Sequence, residues 1–128
     1  MRGYLPIAHS DLTTFLFSQS LVAESVFAPT QTFIQANLDC DEEEIEFLLS
    51  HLAGIQGLEV RTRQSAPGIV LALELESGQC GESYENSIAL TSSLAWSQVQ
   101  CALLSHTDDD ELIWYATQEI SLELDTWK

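Results

Sequence analysis

Positively charged residues are scarce in this sequence. The chain has four lysine and arginine residues and twenty aspartate and glutamate residues, which gives a formal net charge of −16 at pH 7. A surface with this excess of negative charge repels phosphate groups, so we expect no direct binding to nucleic acids or to anionic membranes. The same excess is compatible with a protein partner that has a basic surface, and it also serves solubility alone.

Cysteine is sparse as well, and its positions form no motif. Cys40, Cys80 and Cys101 are far apart and odd in number, so the sequence has neither a disulfide framework nor the paired spacing of a zinc site. Reduced thiols are typical of the cytoplasm, which is the location we expect. The first residues contain no unbroken apolar stretch and predict no signal peptide. The uncharged run 87–105 is interrupted by serine and glutamine, so we expect no membrane span.

Short motifs for catalysis or cofactor binding are also missing. The sequence has no P-loop, no glycine-rich dinucleotide fingerprint and no nucleophile elbow. The histidines and cysteines would allow a Cys–His pair, but nothing in the neighbouring sequence would activate a thiol. We therefore assign no catalytic residue and no cofactor, and we favour a protein that is not an enzyme.

The sequence contains enough apolar residues to form one hydrophobic core. They make up 45% of the 128 residues and are distributed along the whole chain, which predicts a single domain over residues 1–128. The N-terminal part predicts a strand at GYLPIA, a helix from Ser10 to Gln19 and an extended segment at SVFAPT. A helical turn follows, capped by Thr30 and ending near Asn37.

An acidic helix in DCDEEEIEFLLSHLAGIQG is the clearest element. Its apolar residues recur at helical spacing, and Asp41 and Glu44 have the spacing of a capping box. We expect Gly57 to end the helix. Acidic residues in the first turn are stabilised by the helix dipole. Phe47 lies well away from the apolar stripe, so Phe47 and the nearby Glu43 are candidate contacts for a partner.

Strands are predicted beyond Pro67. GIVLALELES and SIALT have strand patterns, whereas residues 96–104 fit a helix or a strand, of which we favour the strand. ELIWYATQEI would return as its hairpin partner, with SHTDDD as the connection. We therefore expect an α+β domain with a mostly antiparallel sheet and two or three helices in the N-terminal half. An exposed, weakly charged edge at GIVLALELES would make a homodimer a candidate assembly.

Acidic residues directly precede the last predicted strand. Candidate oxygen and imidazole ligands for a hard divalent cation lie there: His106, Asp108, Asp109 and Asp110. A small metal-dependent hydrolase is therefore an alternative function. Neighbouring side chains on an extended segment point in different directions, however, and aspartates are common in turns. A solvated turn is the favoured interpretation.

The adjacent residues Trp114 and Tyr115 would lie on opposite faces of a strand. One would then be in the core and the other would line a groove or an interface, without the sequence deciding which. We predict a contact surface for a protein partner that contains Asp41, Glu43, Phe47, Trp114 and Tyr115. A third hypothesis is an acidic mimic of nucleic acid, which requires the acids to lie along one stripe.

Both ends and the middle of the chain carry distinctive segments: MRGYLPIAHSDL, FAPTQTFIQANLDCDEEEIEFLLSHLA and ELIWYATQEI. They resemble a family of small actinobacterial proteins, a domain of unknown function that starts with MR-x-Y-x-P. Its members carry an acidic stretch before a central helix and end near a WYATQE-like motif. This chain differs in having Gly3 where an aliphatic residue is usual, and in a shorter segment before ELIWYATQEI. The resemblance implies a bacterial cytosolic domain and transfers no catalytic residue.

Overall fold

Nine strands and four α-helices make up the computed structural model, which describes residues 1–128. The helices are α1 His9–Ser18, α2 Gln31–Ala36, α3 Glu42–Val60 and α4 Thr117–Glu123. The strands are β1 Arg2–Ile7, β2 Ser20–Leu21, β3 Ser25–Phe27, β4 Gly68–Glu74, β5 Cys80–Ser83, β6 Ser87–Leu90, β7 Leu94–Ala95, β8 Val99–His106 and β9 Asp109–Ala116. Short 3₁₀ helices cover Ser77–Gln79, Trp96–Gln98 and Leu124–Trp127.

Seven of the strands form one sheet in the order β5-β6-β3-β1-β4-β8-β9, and β2 pairs with β7 separately. Every pair is antiparallel. The fold is therefore α+β with a mostly antiparallel sheet, and three of its helices lie in the N-terminal half. These findings confirm the predicted fold class.

Strand β4 separates two apolar layers because alternate residues of a strand point to opposite faces of the sheet. Ile69, Leu71 and Leu73 belong to the larger layer, whereas Val70 and Ala72 belong to the smaller. All five are at most 2% exposed. The larger layer is completed by buried side chains of α1, α4 and the last 3₁₀ helix: Leu12, Phe15, Ile120, Leu124 and Trp127. Helix α3 covers the smaller layer.

Strand β4 is also interior in the sheet, since β1 and β8 pair with it on either side. The expectation that GIVLALELES forms an exposed edge was wrong, and with it the route to a homodimer through that segment. The two edges of the large sheet are β5 and β9.

Helix α3 begins as the sequence predicts. Asp41 Oδ1 accepts a hydrogen bond from the backbone N–H of Glu44 at 2.8 Å, and Glu44 Oε1 accepts one from the N–H of Asp41 at 3.3 Å. These two bonds satisfy amide groups that the first turn leaves free. Thr30 caps α2 in the same way, accepting a hydrogen bond from the N–H of Phe33 at 3.1 Å.

The end of α3 differs from the prediction, because the helix passes through Gly57 and continues to Val60. Gly57 serves close packing instead: a Cβ atom there would lie 3.2 Å from the backbone N and O atoms of Ile69. On the strand side, a Cβ atom on Gly68 would lie 2.6 Å from the backbone N of Leu58. The two glycines let the backbones of α3 and β4 touch.

The last third of the chain contains a tight hairpin and an unpredicted helix. Residues 96–98 form a 3₁₀ turn and β8 follows, so the favoured strand is confirmed for most of 96–104. The turn between β8 and β9 is only Thr107–Asp108, which places Asp109 and Asp110 within β9. The prediction that the strand extends through Ile120 was wrong, because α4 begins at Thr117. Ile120 is fully buried in the larger apolar layer.

Replacing Gly68 by alanine should test the backbone contact between α3 and β4. We expect Gly68→Ala to lower the free energy of unfolding by about 1–3 kcal/mol, because the new methyl group has no space beside Leu58. Urea denaturation would measure the loss. Gly78→Ala is the matched control, since a Cβ atom there meets no atom within 4 Å. Equal stability of the two variants would contradict the contact.

Candidate functional site

The edge strand β9 is left uncovered on the side of the sheet where α3 lies. Helix α3 packs on β1, β4 and β8 through Ile45, Leu49 and Ala53. Strand β9 lies beyond β8 at the edge of the sheet. It approaches α3 through Leu112, whose Cδ2 atom would be 3.1 Å from a Cβ atom on Gly54, and through the backbone of Asp110, which His51 contacts. A groove therefore runs between α3 and β9.

Pairing between β8 and β9 decides which aromatic residue faces this groove. Trp114 pairs with Leu103, which packs against the apolar layer beneath α3. Directly paired residues share a face of the sheet, so Trp114 lies on the α3 side, where its side chain is 60% exposed. Tyr115 is on the opposite face, half-buried, with its ring centroid 5.1 Å from that of Trp127.

Three adjoining clefts of about 230, 320 and 450 Å³ make up the groove, and Phe47 lines all of them. Phe47 is 61% exposed, as its position off the apolar stripe predicts. We call this surface the α3–β9 groove. Its apolar and aromatic lining comes from α3 on one side and from β8 and β9 on the other: Phe47, His51, Ile55, Leu103, Leu112 and Trp114.

His51 connects the two sides of the groove. Its Nε2 atom lies 2.8 Å from the carbonyl oxygen of Asp110 on β9, and its Nδ1 atom lies 3.0 Å from the carbonyl oxygen of Phe47. The imidazole also packs on the Phe47 ring, with 4.1 Å between the ring centroids. These contacts restrict the motion of Phe47 and join the helix to the acidic end of β9.

Carboxylates surround the apolar lining. Glu43 and Glu46 line one end of the groove, and Asp109, Asp110 and Glu111 line the other. The two ion pairs of the protein lie elsewhere, between the N-terminus and Glu74 and between Lys128 and Asp125. The carboxylates of the groove are therefore not neutralised by an ion pair. Arg2 lines the same cleft as Glu43 and Glu46, so the negative potential is strongest at the other end, where Asp109, Asp110 and Glu111 share a cleft with no lysine or arginine.

The end of the groove near the N-terminus contains a buried phenol and a buried thiol. Burial, with a further contribution from the charge of Glu46, raises the pKa of Tyr4 to about 12. Burial likewise raises the pKa of the Cys101 thiol above its ordinary value of 9.0. A thiol in this environment is protonated at neutral pH, so Cys101 is not an activated nucleophile.

Three of the predicted ligands for a divalent cation, His106, Asp109 and Asp110, line the same cleft but do not form a metal site. His106 pairs with Asp109 across the hairpin, and Asp108 lies in the turn. The carboxylate of Asp109 accepts a hydrogen bond from the backbone N–H of Glu111 at 3.0 Å. No group of three or more histidine, cysteine, aspartate or glutamate residues is arranged to hold a metal ion. Asp108 belongs to the turn, and Asp109 and Asp110 belong to the first part of β9.

Three residues of the predicted contact surface line one cleft: Glu43, Phe47 and Trp114. Two others do not join them. The Asp41 carboxylate caps α3 and lines a separate cavity beside Cys40 and Ile45, while Tyr115 lies on the far face of the sheet. Sequence reasoning missed the contributions of His51, Leu103 and Leu112. Only the alternation of Leu112 with Trp114 on β9 pointed to one of these three.

Comparison with known proteins adds no relative. No protein-family model, curated protein or solved structure matches the chain. None of its helices is both long enough and apolar enough to span a membrane. The groove is therefore interpreted from its own residues.

Truncating Phe47 should change stability little. We expect Phe47→Ala to alter the free energy of unfolding by less than about 1 kcal/mol, because the side chain is mostly in solvent. Leu49→Ala, on the same helix but fully buried, should cost about 2–5 kcal/mol. Urea denaturation of both variants gives the comparison. A loss for Phe47→Ala as large as that for Leu49→Ala would show that Phe47 belongs to the core.

The raised pKa of Tyr4 predicts a loss of stability at alkaline pH. Because the folded state retains the phenol proton up to about pH 12, the unfolded state loses it first. The contribution of Tyr4 to the free energy of unfolding is complete below the ordinary pKa of 10.0. It is lost as the pH rises toward 12. Urea denaturation at increasing pH should therefore show a steeper decline for wild type than for Tyr4→Phe. A Tyr84→Phe control at an exposed tyrosine should keep the wild-type slope, and equal slopes for all three proteins would contradict the prediction.

Proposed function

We propose that this chain is a protein-interaction domain of the cytoplasm that binds a partner with a basic surface through the α3–β9 groove, and that it acts by binding rather than by catalysis. One observation carries the proposal. Phe47 and Trp114, each about three-fifths exposed, line the same cleft together with the carboxylates of Glu43 and Glu46.

Exposed aromatic side chains support a docking role for this surface. Aromatic residues are enriched among those that dominate binding energy, because they bury a large area with few rotatable bonds. Phe47 is also held against His51, so ordering it on binding requires little loss of conformational entropy. Smaller apolar neighbours, Ile55 of α3 and Leu112 of β9, line one cleft with Phe47 and extend the apolar surface.

The charge of the groove supports a basic partner. The acids around it form no ion pair, and Arg2 at the Glu43 end is the one lysine or arginine that lines its clefts. The whole protein carries twenty acidic residues against four basic ones. Lysine or arginine residues around an apolar anchor would neutralise the rim while the anchor covers Phe47 and Trp114. Attraction of this kind mainly accelerates association and selects the partner, and it weakens as salt is raised.

Catalysis has less support from the same residues. The thiol of the groove, Cys101, is buried and has a raised pKa. His106 and the acids that follow it are not grouped as metal ligands. An acidic mimic of nucleic acid has no specific observation in its favour, because apolar side chains occupy the centre of the groove.

Affinity capture from an extract of the source cells tests the proposal. The bait proteins are wild type, Phe47→Ala and Glu43→Arg, and bound proteins are identified by mass spectrometry at low and moderate salt. We expect wild type to retain a stoichiometric partner that is lost as salt rises. Each groove variant should weaken that binding by about tenfold or more, as is typical of residues central to an interface.

Two matched controls distinguish the groove from the rest of the surface. Phe17→Ala removes an aromatic side chain that is 80% exposed on α1, which packs on the other face of the sheet. Glu59→Arg reverses an exposed charge of α3 outside the clefts of the groove. Both should retain the partner. Loss of binding in the controls, or retention in the groove variants, would contradict the proposed surface.

A further inference from the structure

Strand β9 is a free edge of the sheet as well as one side of the groove. We infer that the partner contributes an extended basic segment that pairs with β9 as an additional strand. This inference rests on the proposed function and specifies how the partner binds. A ligand that only filled the groove would contact one face of β9, whereas an added strand would lie beside both faces.

Exposed apolar side chains on both faces of β9 favour the added strand. Trp114 is 60% exposed on the α3 side, and its neighbour Ile113 is 41% exposed on the opposite side. Ile113 pairs with Leu104, a buried residue of the larger apolar layer, so its face of the sheet is established by the register. A strand beside β9 would cover part of both side chains.

The backbone of β9 is protected against pairing with another strand over only part of its length. Free edges are usually protected by charges, prolines or bulges. The first three residues of β9, Asp109–Glu111, are acidic, whereas Leu112–Ala116 contain neither a charge nor a proline. The opposite edge, β5, is only four residues long, contains Glu82 and has an irregular register with β6. The N–H of Ala116 donates to the Glu119 carboxylate at 2.8 Å, so Leu112–Tyr115 is the unprotected part of this edge.

Charge decides between a second copy of the chain and a different protein. Two copies would bring together molecules that each carry a formal charge of −16. A basic segment would instead place lysine or arginine beside Asp109–Glu111 and apolar residues beside Leu112–Ala116. The expected segment has about eight residues, the length of β9, with its charges concentrated at one end.

Synthetic peptides with this pattern test strand addition. The probes are the capped peptides KKKTVTVT and TVTVTKKK, which present the basic end in either orientation, and calorimetric titration measures their binding. We expect one orientation to bind more tightly. In that peptide, N-methylation of one alternate set of residues should weaken binding by at least about tenfold, since it removes the N–H groups that face β9. N-methylation of the other set should have little effect.

Substitution at Ile113 gives a second test, because this residue lies on the face away from the groove. Ile113→Ser should weaken binding of the preferred peptide by about threefold or more, within the range of a single cross-strand pair. Val22→Ser, at a residue 86% exposed and outside the large sheet, is the matched control and should bind as wild type does.

The outcomes separate this inference from the proposed function. Equal effects of the two N-methylated sets, or no binding of either peptide, would overturn strand addition. The proposed groove would still be supported in that case if Phe47→Ala and Glu43→Arg lose the captured partner. A dimer in sedimentation that Ile113→Ser dissociates would identify a second copy as the occupant of the edge, and would also overturn the inference.

Discussion

Backbone contact between α3 and β4 is the constraint on which the rest of the structure depends. Gly57 and Gly68 leave no room for a side chain between the helix and β4. The helix is therefore held over β1, β4 and β8, and β9 extends beyond it with one apolar face uncovered. A helix held farther away by larger residues would have room to shift toward β9. The groove borders β9 because the close approach of α3 to the sheet, at Gly57 and Gly68, lies two strands away from that edge.

Sequence reasoning succeeded where the signal was local. The capping box follows from the residue types and spacing of Asp41 and Glu44, and the exposure of Phe47 follows from helical periodicity; both agree with the structure. The antiparallel sheet followed from the order of the predicted elements, with helices early and strands late, and from the predicted hairpin. Helix α4 was missed although Ile120, Leu124 and Trp127 have the i, i+4, i+7 spacing of a helix. The prediction instead continued the strand pattern of residues 111–116 through residues 117–120.

The candidate site was only partly predictable because it depends on pairing between distant strands. Opposite faces for Trp114 and Tyr115 follow from strand geometry, but the side that each occupies depends on the register of β9 with β8. Likewise, Gly57 in the last turn of α3 was interpreted as a stop signal, whereas its role is set by contact with Ile69. A pattern in one segment carries no information about its neighbour in the sheet.

Negative charge has two consequences at this edge of the molecule. The run of acids that begins β9 discourages pairing between identical chains, which protects an otherwise open edge. The same acids would attract a segment of opposite charge. Repulsion between identical edge strands would thus also favour pairing with a basic strand. His51 couples this acidic end to the aromatic centre of the groove, because it contacts both the Asp110 carbonyl and the Phe47 ring. In the proposed complex, a partner that engages the acids of β9 would meet Phe47 already held by His51, so that the charged and apolar parts of the surface would act as one site.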